Sequence, residues 1–206
     1  PYPNNELYSA VAFIIEYHLA NVISLSWGSP EYYLLQAGVN ISALNAIFET
    51  AVAEGIQVFA GSGDWGVYNV LLGVHSAFFP ASSPYVTAVG GTGLFMKGVS
   101  SYVNATMQYL YQIGWGDYFA NFTADGYSFV TDYSYAGSGG GESEIFAKPF
   151  YQSGLPYTNR TTPDIALLAD PYTGVNVIDL PYIYFGIGGT SLAAPLAAGI
   201  AAIIDQ

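Results

Sequence analysis

The sequence predicts an α/β fold with a mostly parallel central sheet. Short β-rich runs alternate with amphipathic helical stretches along the chain. The spacing of strand, helix and strand is that of parallel crossover units. The 206 residues are 52% hydrophobic, enough to bury a sizeable core in one or two domains.

Each element follows from its pattern. Residues Pro1–Asn5 read as a turn and cap. From Glu6 to Ala20, Leu7, Val11, Ile14, Ile15 and Leu19 recur at helical spacing. Val22–Trp27 is a short β-rich run ended by Gly28-Ser29-Pro30. Ser42–Glu54 reads as a second helix, with Leu44, Ile47, Phe48 and Val52 on one face and Gly55 as its stop. Ile56–Gly61 and Tyr85–Gly90 read as buried strands, and Pro163–Ala169 as a further one. Val175–Leu180 and Tyr182–Gly186 form a predicted hairpin, and a helix of small residues starts at Thr190. Lys97–Ala136, rich in Tyr, Asn, Ser and Gly, reads as an elaborated surface loop or hairpin within a single domain.

Charge narrows the function. Fifteen acidic residues face three permanent cations (Lys97, Lys148, Arg160), a formal net charge of −12. Such a surface is a poor ligand for polyanions, so nucleic acid is not an expected partner. Absent cysteine excludes disulfides, thiolate metal sites and cysteine catalysis. With few cations, positive self-repulsion in acid is small, which suits an acid-adapted protein. Four Asn-x-Ser/Thr sequons, at Asn40, Asn104, Asn121 and Asn159, are compatible with a glycosylated, secreted protein. No run of about 18 apolar residues suggests a membrane span.

Two glycine-rich segments carry chemistry. In Gly188-Gly189-Thr190-Ser191-Leu-Ala-Ala-Pro195, a serine sits on the first turn of a helix. Free N–H groups and the positive helix end there favour a developing oxyanion. The alternative is a Ser/Thr cap on a buried helix. In Gly61-Ser-Gly-Asp64-Trp-Gly66, an aspartate follows a strand directly. Ligands of parallel sheets bind at that end. The alternative is a carboxylate turned onto its own backbone.

Together the two segments resemble the sedolisins, the serine-carboxyl peptidases with a subtilisin-like fold. Val22–Glu31 (VISLSWGSPE), Phe79–Thr92 (FPASSPYVTAVGGT), Gly139–Phe146 (GGGESEIF) and Pro163–Val175 (PDIALLADPYTGV) resemble further segments of that family in matching order. A true subtilisin is less similar, because it carries Asn in the donor loop and a His motif that neither His18 nor His75 reproduces. The resemblance implies a three-layer fold, here incomplete at both ends. It implies Ser191 as nucleophile and Asp64 as an oxyanion donor, which requires a protonated carboxyl. It implies Ser26, Trp27 and Gly28 on the edge that pairs with substrate backbone, with Gly188, Gly189 and Thr190 as further substrate-binding residues beside the nucleophile. Apolar residues between Asp64 and Pro80 (Trp65, Val67, Tyr68, Val70, Leu71, Leu72, Phe78, Phe79) would line the substrate pocket.

Some family features have no counterpart in this chain. The family's general-base Glu, with an Asp four residues later, lies upstream of its counterpart to Pro1–Asn5. The family's calcium site lies beyond its counterpart to Gln206. No base, metal or cofactor is therefore assigned to this chain. Glu6, Glu16, Glu49 and Glu54 read as solvated helix carboxylates, Asp164, Asp170 and Asp179 as structural or turn residues, and His18 and His75 as structural. The expectation is part of a secreted, acid-acting endopeptidase that takes a polypeptide substrate. Its exposed edges would be covered by the rest of the precursor or by another subunit. The rival expectation is an inactive peptidase-fold module in an extracellular assembly, favoured by the sequons and by seven tyrosines between Tyr102 and Tyr135.

Overall fold

The structure is a computed structural model that describes residues 4–66, 68–69, 74–99, 106–120 and 133–205. Asn104, Asn121, Val67 and Val70–Leu72 lie outside these, as does most of Pro1–Asn5.

Helix α1 (Asn4–Glu16) leads into strand β1 (Val22–Leu25). Strand β2 (Ser29–Pro30), helix α2 (Glu31–Gln36), helix α3 (Ile41–Ala53) and strand β3 (Gln57–Gly61) follow. Two-residue strands β4 (Tyr68–Asn69), β5 (Val74–His75) and β6 (Phe78–Phe79) precede the long β7 (Thr87–Val99). Next come β8 (Thr106–Gly114), β9 (Gly116–Ala120), β10 (Tyr133–Gly137), β11 (Gly141–Ala147) and β12 (Asn159–Thr162). Strand β13 (Ile165–Leu168), the hairpin β14 (Val175–Asp179) and β15 (Tyr182–Ile187), and helix α4 (Thr190–Ile204) complete the order.

The central sheet runs β1-β3-β7-β13 with parallel pairing throughout, and β8 adds antiparallel to β7. Alternation along each strand sends side chains to opposite faces. Val58, Ala60, Ile23, Leu25 and Ala88 face a core shared with Tyr8, Val11 and Ile15 of α1 and Phe48 and Ala51 of α3. Phe59 and Val89 face α4 on the other side, where Ala193, Ala194, Ala197 and Ala198 are buried. Small residues on that helix face let its axis approach the sheet closely. The result is three layers, helix, sheet and helix, the predicted subtilisin-like arrangement.

Several boundaries differ from the sequence reading. Helix α1 ends at Glu16, so His18 is not within a helix; it takes φ +47° just past the end. The buried stripe of α1 is Tyr8, Val11 and Ile15, whereas Leu7 and Leu19 are exposed. Val52 of α3 is exposed as well. Strand β7 starts at Thr87 and runs well past Gly90, because β8 continues to pair with it. Phe79 belongs to the core and not to a pocket: it is fully buried against Tyr8, Phe48 and Phe146.

A buried carboxyl ties α2 to β11. Glu31 has no solvent exposure. Its oxygens accept from Ser143 Oγ and from Glu144 N, both at 2.7 Å. Burial pushes its pKa up, against the pull of its hydrogen bonds. A raised carboxyl pKa contributes stability that is complete in acid and lost as pH rises through the folded value. Glu31→Gln keeps the shape and can still accept from Glu144 N, but Ser143 Oγ already accepts from Ile145 N and Phe146 N and has no lone pair left for the new amide. The substitution is expected to lower the melting temperature most in acid, where the parent carboxyl is neutral, and by less as pH rises through the folded pKa, the gap narrowing by roughly the 2–4 °C that ~1 kcal/mol moves a domain of this size. Thermal melts across that range check the sign.

Candidate active site

Strand β3 ends at Gly61, and the loop after it carries Asp64. Helix α4 begins at Thr190, and Ser191 lies on its first turn. The sheet order brings these two points together at the carboxyl end of the parallel strands. Gly63 N–H donates to Thr190 Oγ1 at 3.1 Å, which stitches loop to helix.

The Asp64 carboxyl is held through one oxygen. Oδ1 accepts from Thr190 N at 2.7 Å and from Thr190 Oγ1 at 2.8 Å. Oδ2 lies toward Gly189, where a Cβ would come within 2.8 Å of it. Gly189 also takes φ +87°, a conformation that favours glycine. The Oδ1 lone pairs of Asp64 are thus both engaged by donors from Thr190. Two neighbouring segments hold the loop from behind. Gly137 N–H donates to Asp64 O at 2.9 Å, and Gly139 N–H donates to Gly63 O at 2.7 Å. Gly139 packs so closely that a Cβ there would come within 2.3 Å of Ser62 O.

The serine is exposed and its hydroxyl lightly tethered. Ser191 Oγ lies 3.4 Å from Ser26 O, and Ser26 Oγ donates to Ser191 O at 2.9 Å. Ser26 follows the last residue of β1. The main-chain N–H of Ser191, on the first turn, has no partner within the helix.

Ser26, Trp27, Gly28, Gly61, Gly63, Asp64, Trp65, Phe78, Thr190 and Ser191 line one cavity of about 210 Å³. The structure thus brings together most of the residues singled out in the sequence. Trp65 and Phe78 of the predicted apolar pocket are among them. Gly188 and Gly189 are not. Gly188 instead packs against the Ala169–Pro171 turn, where a Cβ would meet Ala169 O at 2.3 Å. Gly189 N–H donates to Ala169 O at 2.6 Å. Gly189 also borders the Asp64 carboxyl.

Other singled-out residues lie elsewhere. Asn40 caps α3 through Oδ1, which accepts from Ala43 N at 3.1 Å. The Asn159 side-chain amide donates to Ser143 O at 2.8 Å. Asp164 accepts from Arg160, from Ala88 N and from the Gln152 amide. Asp170 caps the turn Pro171–Thr173. It also faces Asp117, whose pKa is raised by burial and by the neighbouring Asp170 carboxyl. No group of three or more His, Cys, Asp or Glu side chains could hold a metal ion among the described residues, and no step is derived through one. No helix among them is long and apolar enough to cross a membrane.

Comparison with known proteins identifies the family and the fold. Residues 4–206 match the subtilase family, Peptidase_S8. Kumamolisin of Bacillus sp. (strain MN-32) is 36% identical over 92% of this chain and 32% of its own length. Sedolisin of Pseudomonas sp. (strain 101) is 33% identical over 96% of this chain and 32% of its own. The solved Pseudomonas sedolisin, a serine-carboxyl proteinase in complex with two molecules of pseudo-iodotyrostatin, superposes with a TM-score of 0.77 at 32% identity. That match covers 98% of this chain and 52% of the sedolisin chain. The chain therefore spans about a third of the length of the curated relatives it matches. By sequence, sheet order and three-layer architecture, the chain belongs to the subtilase family, on its sedolisin-like side.

Proposed function

We propose that this chain is part of a secreted, acid-acting serine-carboxyl endopeptidase. The observation that carries the proposal is the convergence of Ser191 and the Asp64 carboxyl on one cavity, with Thr190 bonded to Asp64 and chain-adjacent to the serine. Ser191 Oγ attacks the peptide carbonyl carbon, and the carbonyl π electrons move onto oxygen. Asp64, protonated, and the Ser191 N–H donate to that oxyanion, a role worth about 10²–10³ in rate per donor. The C–N bond then breaks, the amine leaves with a proton, and water hydrolyses the acyl-serine. The proton of Ser191 goes to the Glu of the family's Glu/Asp pair, which the resemblance sets upstream of Pro1. Substrate backbone lies along Ser26–Gly28, and an apolar side chain sits against Trp65 and Phe78. The free side of β1 and the groove between Ile15 of α1 and Ile47 of α3 are then faces covered by the rest of a longer polypeptide.

A donor that is a carboxylic acid works only while protonated. The full-length protein is accordingly expected to cleave a denatured polypeptide in acid and to lose turnover toward neutral pH. A peptide aldehyde, which forms a tetrahedral adduct with a serine, should inhibit it reversibly. Absence of cleavage at every acidic pH tried, with the precursor processed and folded, overturns the proposal.

A further inference from the structure

A proline lies inside the helix that carries the serine. Pro195 falls in the second turn of α4. It has no N–H, and in an α-helix that N–H would bond the carbonyl four residues earlier. The carbonyl left without its helical donor is that of Ser191. This carbonyl is the one that Ser26 Oγ reaches, at 2.9 Å across 165 residues of sequence. The return contact runs from Ser191 Oγ toward Ser26 O at 3.4 Å.

We propose that Ser26 is a positioning residue whose hydroxyl replaces the helical donor removed by Pro195 and so fixes the backbone of the nucleophile. The inference rests on the peptidase reading above and deepens it. A normal helical hydrogen bond would hold the Ser191 carbonyl to its own helix. The proline frees that carbonyl, and its ring also crowds the preceding turn. The Ser26 hydroxyl then anchors the serine to the end of β1, beside the cavity where the substrate backbone lies. The nucleophile is thereby referenced to the cleft wall and not to the helix alone. Ser26 is itself exposed and borders the cavity, so its hydroxyl has no part in the core that a substitution would disturb.

The test is a double-mutant cycle on the full-length, processed protein. Ser26→Ala removes the replacement donor, and kcat should fall about 3–10-fold, the loss of one net hydrogen bond. KM for a short peptide should change less than kcat, because a positioned nucleophile matters most in the transition state. Ser26→Thr keeps the hydroxyl and should recover most of the loss. Pro195→Ala restores an N–H opposite the Ser191 carbonyl. The decisive result is the double variant: Pro195→Ala should recover at least half of the logarithmic loss caused by Ser26→Ala. Additive losses, or a Ser26→Ala variant with unchanged kcat, overturn the positioning role while Ser191→Ala still abolishes hydrolysis. Hydrolysis undiminished by Ser191→Ala overturns the peptidase reading and this inference together.

Discussion

Ser191→Ala in the full-length protein is expected to abolish acid hydrolysis, a loss on the order of 10⁶ in kcat, as for removal of the nucleophile in other serine peptidases. The magnitude follows from covalent catalysis. Without Oγ no acyl-enzyme forms, and only the oxyanion donors and substrate binding remain. The fold should be unaffected, because Ser191 is exposed and its hydroxyl makes one long contact, to Ser26 O. Surface substitutions of this kind shift stability within about 0.5 kcal/mol. The carbonyl of residue 191 keeps its bond from Ser26. A far-ultraviolet spectrum and melt matching the parent, with cleavage lost, is the expected pair of results. Cleavage at the parent rate would place the chemistry elsewhere.

The site was legible where local chemistry and periodicity coincide. A glycine-rich turn directly after a buried strand, and a second directly before a small-residue helix, mark two loops at one end of a parallel sheet. The sequence motifs therefore suffice to nominate Asp64 and Ser191, and β1, β3 and α4 position both. What they miss lies in long-range pairing. Glu31 reads as the polar end of a short motif, yet its partner Ser143 is 112 residues away. Helix α2 is only six residues long, with Leu34 and Glu31 as its buried residues, too few for a periodic signal. Strand β7 runs on through Gly90, Gly91 and Gly93 because neighbouring groups fill the space at each. A Cβ at Gly91 would come within 2.6 Å of Ala169 and 2.8 Å of Trp115. Glycine there marks close packing, although in isolation it reads as a strand end. Gly188 and Gly189 are adjacent to the nucleophile in sequence; Gly188 packs on the Ala169–Pro171 turn and Gly189 against the Asp64 carboxyl.

Arg160→Met is expected to destabilise the fold by about 1–3 kcal/mol, the cost of leaving buried acceptors without their donor; the Asp164 side chain is 21% exposed, so its carboxylate is rehydrated. Arg160 has no solvent exposure. Its fork meets Asp164 with Nη1 to Oδ1 at 2.6 Å and Nη2 to Oδ2 at 2.5 Å. It also donates to Thr161 O and Val86 O, and its guanidinium lies 5.5 Å from the centre of the Tyr151 ring. Asp164 in turn accepts from Ala88 N at 2.8 Å. One cation therefore joins β12 to the start of β7 and to the entry of β13, at the opposite end of the sheet from Ser191. Methionine fills much of the same volume and cannot donate, so the Val86 and Thr161 carbonyls and the Asp164 carboxylate lose their partner together. Arg160→Lys should recover little, since an ammonium cannot make the two-pronged contact. Arg160→Met with Asp164→Asn should be close to Arg160→Met alone, because the partly exposed Asp164 carboxylate is rehydrated once the guanidinium is gone and an amide oxygen can still accept from Ala88 N. Urea unfolding of the four proteins gives the coupling. Equal midpoints for Arg160→Met and the parent would mean that the Arg160 fork is not what holds β12 to the sheet.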